Sequence, residues 1–330
     1  VLRVAARRSV ILCGGSINSP QLLELSGIGN PAVLEPLGIT TRHALPGVGE
    51  NLQDHLTINV QQGLRNVRTF AEETTPLGLL RNALRWGIRR EGLLIHPACQ
   101  AGAFLRTSPA VERPDAQIHF TPAAGRLDAR GNLVTVPGTT ATVCNLRPSS
   151  RGSVHARTPF PDYPPAIRAN YMATEADRRV MIDAVRRVRE IFASSVFDGY
   201  REAEIRPGVN CSSDEQILAF IRREAESVYH PVGTCAMGAG EDAVVDHRLR
   251  VHGLEGLRIA DASVIPDIIS GNTNALCVAI GLKAAGMRFH SDPVDKEGVR
   301  TVYGRDPFGN VIELQEIIEF LKEPKKFSRL

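Results

Sequence analysis

Apolar and polar positions change rhythm several times along the chain, and each rhythm predicts a different element. Arg8 to Cys13, RSVILC, is a short apolar run ending in Gly14-Gly15, as expected of a buried parallel strand followed by a tight turn. Ser19-Pro20 is then expected to open a helix over QLLELSG, closed by Gly27. Residues 28 to 56 hold Gly, Pro and Asn at close spacing and read as extended loop. Between 76 and 91, the apolar residues of LGLLRNALRWGIRR recur at helical spacing, with basic residues mainly opposite.

From about residue 100 to 170 the period falls to two. AGAFLRT, AQIHFTPA, TTATVCNL and GSVHART are expected to form an antiparallel sheet with one face covered. Thr174 to Phe192 is the clearest helix, with Thr174 as its N-cap. Ser213-Asp214-Glu215-Gln216 is a capping box before ILAFIRRE. A glycine-rich segment, a strand in LRIADAS and a final helix in NALCVAIGLKAAG complete the pattern, with no internal repeat.

Composition narrows the class of protein only a little. The 330 residues suffice for one large domain or two ordinary ones, and 43% hydrophobic with 23% charged residues fits a soluble globular protein. A net charge of +3, with its basic residues dispersed, gives no reason to expect nucleic acid as a partner. Six scattered cysteines without a C-x-x-C pair suit reduced thiols in the cytoplasm better than disulfides or a zinc site. No apolar run approaches the roughly 20 residues that span a bilayer. VLRVAARRSVILCGG resembles a leader only superficially, because its apolar part ends at Cys13 and turns into glycine. The first residue is Val1 rather than Met, so the natural start is expected upstream.

Three segments carry a more specific signal. They are GGSINSPQLLELSGIG at 14 to 29, with GVGENLQDH at 47 to 55; LRPSSRGSVHART followed by YPPAIRANY; and YHPVGTCAMG at 229 to 238, followed by VVDHRLRVHGLEGLRIADASVIPDIISGNTNA at 244 to 275. Together they resemble the glucose–methanol–choline (GMC) oxidoreductases, closest to the choline dehydrogenase and aliphatic alcohol dehydrogenase branch, over about residues 1 to 288. The resemblance implies FAD as cofactor and oxidation of a primary alcohol, choline-like or aliphatic, to the aldehyde. It implies His230 and Asn272 as the catalytic pair facing the flavin. By the same resemblance Cys13, Gly14 and Gly15 lie against the FAD, Asp261 and Ala262 approach its ribityl and pyrophosphate part, and Thr273 and Asn274 open the helix that faces it.

The chemistry suits these residue types. A hydroxyl is too weak an acid to lose its proton unaided near neutral pH, and a neutral imidazole has the basicity to take it. An amide beside it would hold the substrate oxygen, and a helix N-terminus would favour negative charge on reduced flavin. The other eight histidines have the simpler reading of surface or structural residues, His55 least securely because NLQDH lies near the family's substrate entrance. Asn272 is also a candidate N-cap for the last helix. Glu226, Tyr229, Cys235 and Cys277 flank the motifs and are expected to pack or be solvated. Gly27-Ile28-Gly29 and Gly47-Val48-Gly49 are turns, because neither has a third glycine at dinucleotide-binding spacing.

The family's G-x-G-x-x-G does not occur in these residues, and a full member is longer at the front by very roughly two hundred residues. After Gly286, VRTVYGRDPFGNVIELQEI at 299 to 317 resembles the last strands of the glyoxalase and bleomycin-resistance (vicinal oxygen chelate) superfamily. There Asp306, Pro307, Gly309 and Asn310 would form a hairpin turn and Glu313 would match a metal-ligand position. With no partner ligand, a fused hairpin without metal is the preferred reading.

The expected fold is therefore α/β with an α+β substrate domain. A partial Rossmann-like FAD-binding domain would comprise 1–70 and 240–288, an antiparallel-sheet substrate domain 71–239, and a fused tail 289–330. The expected location is the cytoplasm, with a peripheral place at the inner membrane as the variant. The expected partners are an alcohol and an electron acceptor, oxygen or a quinone. The rival readings are a non-catalytic truncated fragment and a metal-binding module organised by the tail.

Overall fold

The computed structural model describes residues 6, 8–95, 97, 99–127, 133–286, 288–289, 294–296, 299–305 and 311–317. The fold is mixed α and β, as expected. Strand β1 (Val10–Leu12) leads through Gly14 into helix α1 (Gly15–Leu25). The next strand used by the site is β2 (Leu56–Leu64), followed by the amphipathic helix α2 (Pro76–Arg89). Strands β3 (Ala101–Leu105), β4 (Ala116–Thr121) and β5 (Gly138–Asn145) follow, then the short pair β6 (Ser153–His155) and β7 (Ala166–Arg168). Helix α3 (Glu175–Phe192), strand β8 (Arg201–Arg206), helix α4 (Asp214–Glu224) and strand β9 (Glu226–Ser227) come next. Strand β10 (Leu257–Ile259) and helix α5 (Asn274–Ala284) complete the part that carries the site.

Six strands form one antiparallel sheet in the order β8-β2-β5-β4-β3, with β9 paired to β2. Alternation decides its two faces. Leu56, Ile58 and Val60 of β2, Ala116 and Ile118 of β4, and Ala141 and Val143 of β5 are buried against Met181, Ile182, Val185 and Val188 of α3. Ile217, Phe220 and Ile221 of α4 close the same core. Burying such side chains stabilises by about 1.5–3 kcal/mol each, which makes this layer the main anchor of the sheet. The intervening residues Gln117 and His119 of β4 necessarily point to the opposite face. Strand β2, which ends before residue 70, lies between β5 and β8 in this sheet.

The helix ends follow the capping chemistry. The Thr174 hydroxyl accepts from Asp177 N–H, and Ser213 and Gln216 form a complete capping box. Two boundaries differ from expectation. Helix α1 starts at Gly15 rather than at Ser19, so Pro20 lies inside it. The N-cap of α5 is Thr273, not Asn272.

Strands β1 and β10 pair in parallel, Val10 opposite Leu257 and Leu12 opposite Ile259. Val10 and Ile11 are exposed, and α5 buries no residue fully despite its apolar sequence. In the tail, strands β11 (Val299–Arg305) and β12 (Val311–Ile317) are antiparallel, with Tyr303 opposite Glu313. The turn expected at Asp306 to Asn310 lies outside the described residues. Among the described residues no helix is long and apolar enough to cross a membrane.

Candidate active site

His230 is carried by the loop that follows β9, and three contacts explain how the loop is held. Pro20 has no N–H, so the carbonyl of Ser16, one turn earlier in α1, lacks its helical donor. The Thr234 hydroxyl donates to that carbonyl at 2.7 Å. The Ser16 hydroxyl donates back to Pro231 O at 2.6 Å, and Cys235 N–H donates to Ser263 O at 2.8 Å. Gly233 adopts φ +95°, and a Cβ there would meet Asn51 O at 2.4 Å, so the loop's close approach requires glycine.

Asp54 is the hub beneath the loop. Its Oδ1 accepts the backbone N–H groups of both His55 and His230 at 2.9 Å. Its Oδ2 accepts from the hydroxyls of Tyr171 and Ser227, each at 2.5 Å. One buried carboxylate thus ties the end of the 47–55 loop, the segment after β7 and the β9 end to one point. Burial, reinforced by the Asp54 carboxylate, pushes the Tyr171 phenol well above its ordinary value, so it remains a donor.

The two residues predicted as catalytic are together. Asn272 Nδ2 lies 3.3 Å from His230 Nε2, and Asn272 Oδ1 accepts from Gln117 Nε2 at 3.2 Å. Asn272 therefore does not cap α5; its amide bridges the histidine loop and the open face of the sheet. His119 stands two residues along β4, on the same face as Gln117. The Gln117 carbonyl oxygen is buried and has no partner among the described residues.

Behind His230 is fully buried His55. The two Nδ1 atoms are 3.1 Å apart, and His55 Nε2 lies 3.0 Å from Leu146 O. Burial lowers the His230 pKa below its ordinary 6.5, against an opposing pull from Asp54. Burial also lowers that of His55, to about 4. Both rings are neutral at physiological pH, as a proton-accepting imidazole must be.

Cys13, Gly14, Gly15, Asp261 and Ala262 come together at the C-terminal ends of β1 and β10. Exposed Cys13 and the Gly14-Gly15 turn end β1, while Asp261 and Ala262 follow β10. The Asp261 carboxylate is consumed internally. Oδ2 accepts from Gly15 N–H at 3.0 Å and Ser19 Oγ at 2.6 Å, while Oδ1 accepts from Ser263 N–H at 2.8 Å and Ser263 Oγ at 2.5 Å. Its side chain braces the crossing of the two strands. Thr273 is buried and Asn274 exposed at the start of α5.

Reasoning from residues passed over His55, Gln117 and His119. NLQDH was the available hint for His55. For Gln117 and His119 the signal was the period of two in AQIHFTPA, which puts both on one face without saying which face carries the site. Among the described residues no group of three or more His, Cys, Asp or Glu side chains is placed to hold a metal ion. The Glu313 side chain lies outside what is described.

Comparison with known proteins identifies the family. Two profiles described as GMC oxidoreductase match the chain, the N-terminal one over residues 2–57 and the C-terminal one over 148–281. An "oxygen-dependent choline dehydrogenase" of Citrobacter koseri is 41% identical over 294 residues, covering 89% of this chain and 52% of the relative. A protein of the same description from Escherichia coli O127:H6 is 42% identical over 285 residues, covering 86% and 51%. Among solved structures, pyridoxine 4-oxidase from Mesorbium loti superposes with a TM-score of 0.69 at 28% identity, over 84% of this chain and 50% of that one. A formate oxidase superposes with a TM-score of 0.78 at 25% identity, over 85% and 54%. The chain spans about half the length of the relatives it matches. With both profiles matched, and His230 and Asn272 brought together from the matched motifs, the chain belongs to the GMC oxidoreductase family.

Proposed function

We propose that this chain carries the catalytic half of an FAD-dependent oxidoreductase that converts a primary alcohol, choline-like or aliphatic, to the aldehyde. The observation that carries the reading is the 3.3 Å approach of the Asn272 amide to Nε2 of a neutral His230. His230 Nε2 accepts the hydroxyl proton, and the Asn272 amide holds the substrate oxygen as negative charge develops on it. Asp54, whose charge favours protonation of His230, stabilises the imidazolium that results. Bound flavin supplies the hydride acceptor for the carbon-bound hydrogen.

The residues present fit the ring end of a flavin. Thr273 gives α5 no side-chain cap, and the first intrahelical bond runs from Cys277 N–H to Thr273 O. The N–H groups of Asn274, Ala275 and Leu276 therefore precede the hydrogen-bonded turns and suit the negative edge of a reduced flavin. Cys13, Gly14, Gly15 and Ala262 would contact the cofactor at the strand ends, and Asp261 would contribute through its backbone. The G-x-G-x-x-G turn that binds pyrophosphate in this family is not among these residues. A domain boundary near residue 55, before β2, accords better with the sheet than one near 70.

The electron acceptor is oxygen or a quinone, and the name of the choline dehydrogenase relatives favours oxygen. A cytoplasmic location agrees with six free thiols. Peripheral attachment to a membrane is supported by the outward stripe Leu77, Leu80, Leu84 and Ile88 of α2, bordered by Arg81 and Arg85. The test of the cofactor assignment is visible absorbance of the purified chain titrated with FAD, alone and with an upstream flavin-domain fragment of a relative. A bound-flavin spectrum in the presence of the fragment is the expected result. Its failure under both conditions would leave the rival reading of an inactive fragment.

A further inference from the structure

We infer that His55 is a positioning residue that fixes the ring tautomer of His230, leaving Nε2 bare toward Asn272 and the substrate. One group at the buried end has no freedom of choice. The Leu146 carbonyl can only accept, and it lies 3.0 Å from His55 Nε2, so that nitrogen carries a proton. His55 is fully buried, and the same burial holds its ring neutral at physiological pH. A neutral ring protonated at Nε2 is bare at Nδ1. The facing atom, His230 Nδ1 at 3.1 Å, must then be the donor. His230 is neutral as well, so its remaining nitrogen, Nε2, holds the lone pair.

The far end of the chain of contacts gives the same direction independently. Asn272 Oδ1 accepts from Gln117 Nε2. With the Asn272 oxygen turned to this donor, its Nδ2 faces His230 Nε2 and donates to it. The opposite polarity would put Nε2–H on His230, a proton on His55 Nδ1 and two lone pairs face to face at Leu146 O. It would otherwise require a buried imidazolium at His55.

The consequence rests on the proposed role of His230 as base; the tautomer assignment does not. Free imidazole of histidine favours the opposite tautomer, protonated at Nε2, which could not accept a proton from an alcohol at that atom. His55 therefore holds His230 in its minor form. When His230 takes the alcohol proton at Nε2, its Nδ1–H remains on His55, and no proton passes further, because a carbonyl closes the path beyond His55. The proton must leave by the atom through which it entered. His55 locks the tautomer and does not conduct.

The test is ¹⁵N NMR of the imidazole nitrogens in the full chain with labelled histidine, the His230 ring being assigned by its loss in His230→Gln. The expected result is protonated Nδ1 and bare Nε2 for His230, with protonated Nε2 for His55. His55→Leu is expected to move His230 toward the Nε2–H form. His55→Gln, whose amide can donate to Leu146 O and accept from His230, is expected to retain the Nδ1–H form. A His230 ring protonated mainly at Nε2 in the unsubstituted chain overturns the inference, and so does a tautomer that His55→Leu leaves unchanged. If the substituted chain does not fold, the unsubstituted spectrum alone decides. Failure of alcohol-dependent flavin reduction, with the tautomers as expected, would remove the catalytic reading and leave the lock standing.

Discussion

His230 and His55 are 175 residues apart in sequence, yet their Nδ1 atoms face one another at 3.1 Å. Asp54 holds the backbone N–H groups of both. His230 and the ring behind it are thus fixed to one carboxylate, which makes their protonation behaviour a joint property of the site.

The first prediction concerns rate against pH. Because the His230 pKa lies below 6.5, substrate oxidation should rise with pH through a value lower than that of free histidine and stay level above it. Asp54→Asn removes a charge that favours the imidazolium and should move this kinetic pKa further down. An unchanged profile in Asp54→Asn would disconnect the carboxylate from the base.

Stability should depend on pH through His55 in a defined direction. Its folded pKa of about 4 lies below the unfolded value, so the unfolded chain binds more protons between these values. The chain should therefore lose about 2 kcal/mol of stability between pH 7 and pH 5 from this group. Urea midpoints at the two pH values should show the loss, and His55→Gln should flatten it.

His155 acts in the opposite sense. Its Nδ1 lies 2.7 Å from Oε1 of fully buried Glu24 and its Nε2 lies 3.0 Å from Glu50 Oε1. The Glu24 hydrogen bond, above all, raises its pKa above 6.5. Its contribution is fully present below 6.5 and is lost as pH rises through the raised folded value. His155→Gln should steepen the acid-side loss measured by the same midpoints, because it removes the opposing term.

Thr234→Val should cost about 1–3 kcal/mol, since it leaves the buried Ser16 carbonyl without a donor. Pro20→Ala restores an N–H that can reach that carbonyl. In a double-mutant cycle read by denaturant unfolding, the cost of Thr234→Val should shrink in the Pro20→Ala background. Equal costs in both backgrounds would show that Thr234 acts through something other than the bond Pro20 forgoes.

These contacts also show which features were legible in the sequence. Thr174 and Ser213 act locally, within one helical turn, and their caps were readable from spacing alone. Of the main sheet, β3, β4 and β5 were readable from their period of two, but β2 and β8 were not, and Ser153–His155, expected in that sheet, pairs with β7 apart from it. His230 and Asn272 were singled out by the resemblance of their motifs. Thr234 lies 218 residues from Ser16, and nothing local to Pro20 tells that its orphaned carbonyl would be satisfied. The sequence offered Ser19-Pro20 as a helix start because proline favours first turns; a distant hydroxyl makes an interior position tolerable. His55 was passed over for a related reason. Its partners Leu146 and His230 are brought to it by the sheet and the β9 loop, so its role exists only after folding. Asn272 preceded a helix and read as a possible cap, while tertiary contacts with Gln117 and His230 claimed its amide.

The central claim is that His230 is the base of an alcohol oxidation at bound flavin. Its most direct test is the absorbance of the FAD-loaded chain, completed by the flavin-domain fragment, on anaerobic addition of primary alcohols. The prediction is bleaching of the oxidised flavin band with at least one alcohol, slowed by about 10²-fold or more in His230→Ala. Bleaching at the same rate in His230→Ala, with flavin equally bound, would contradict it.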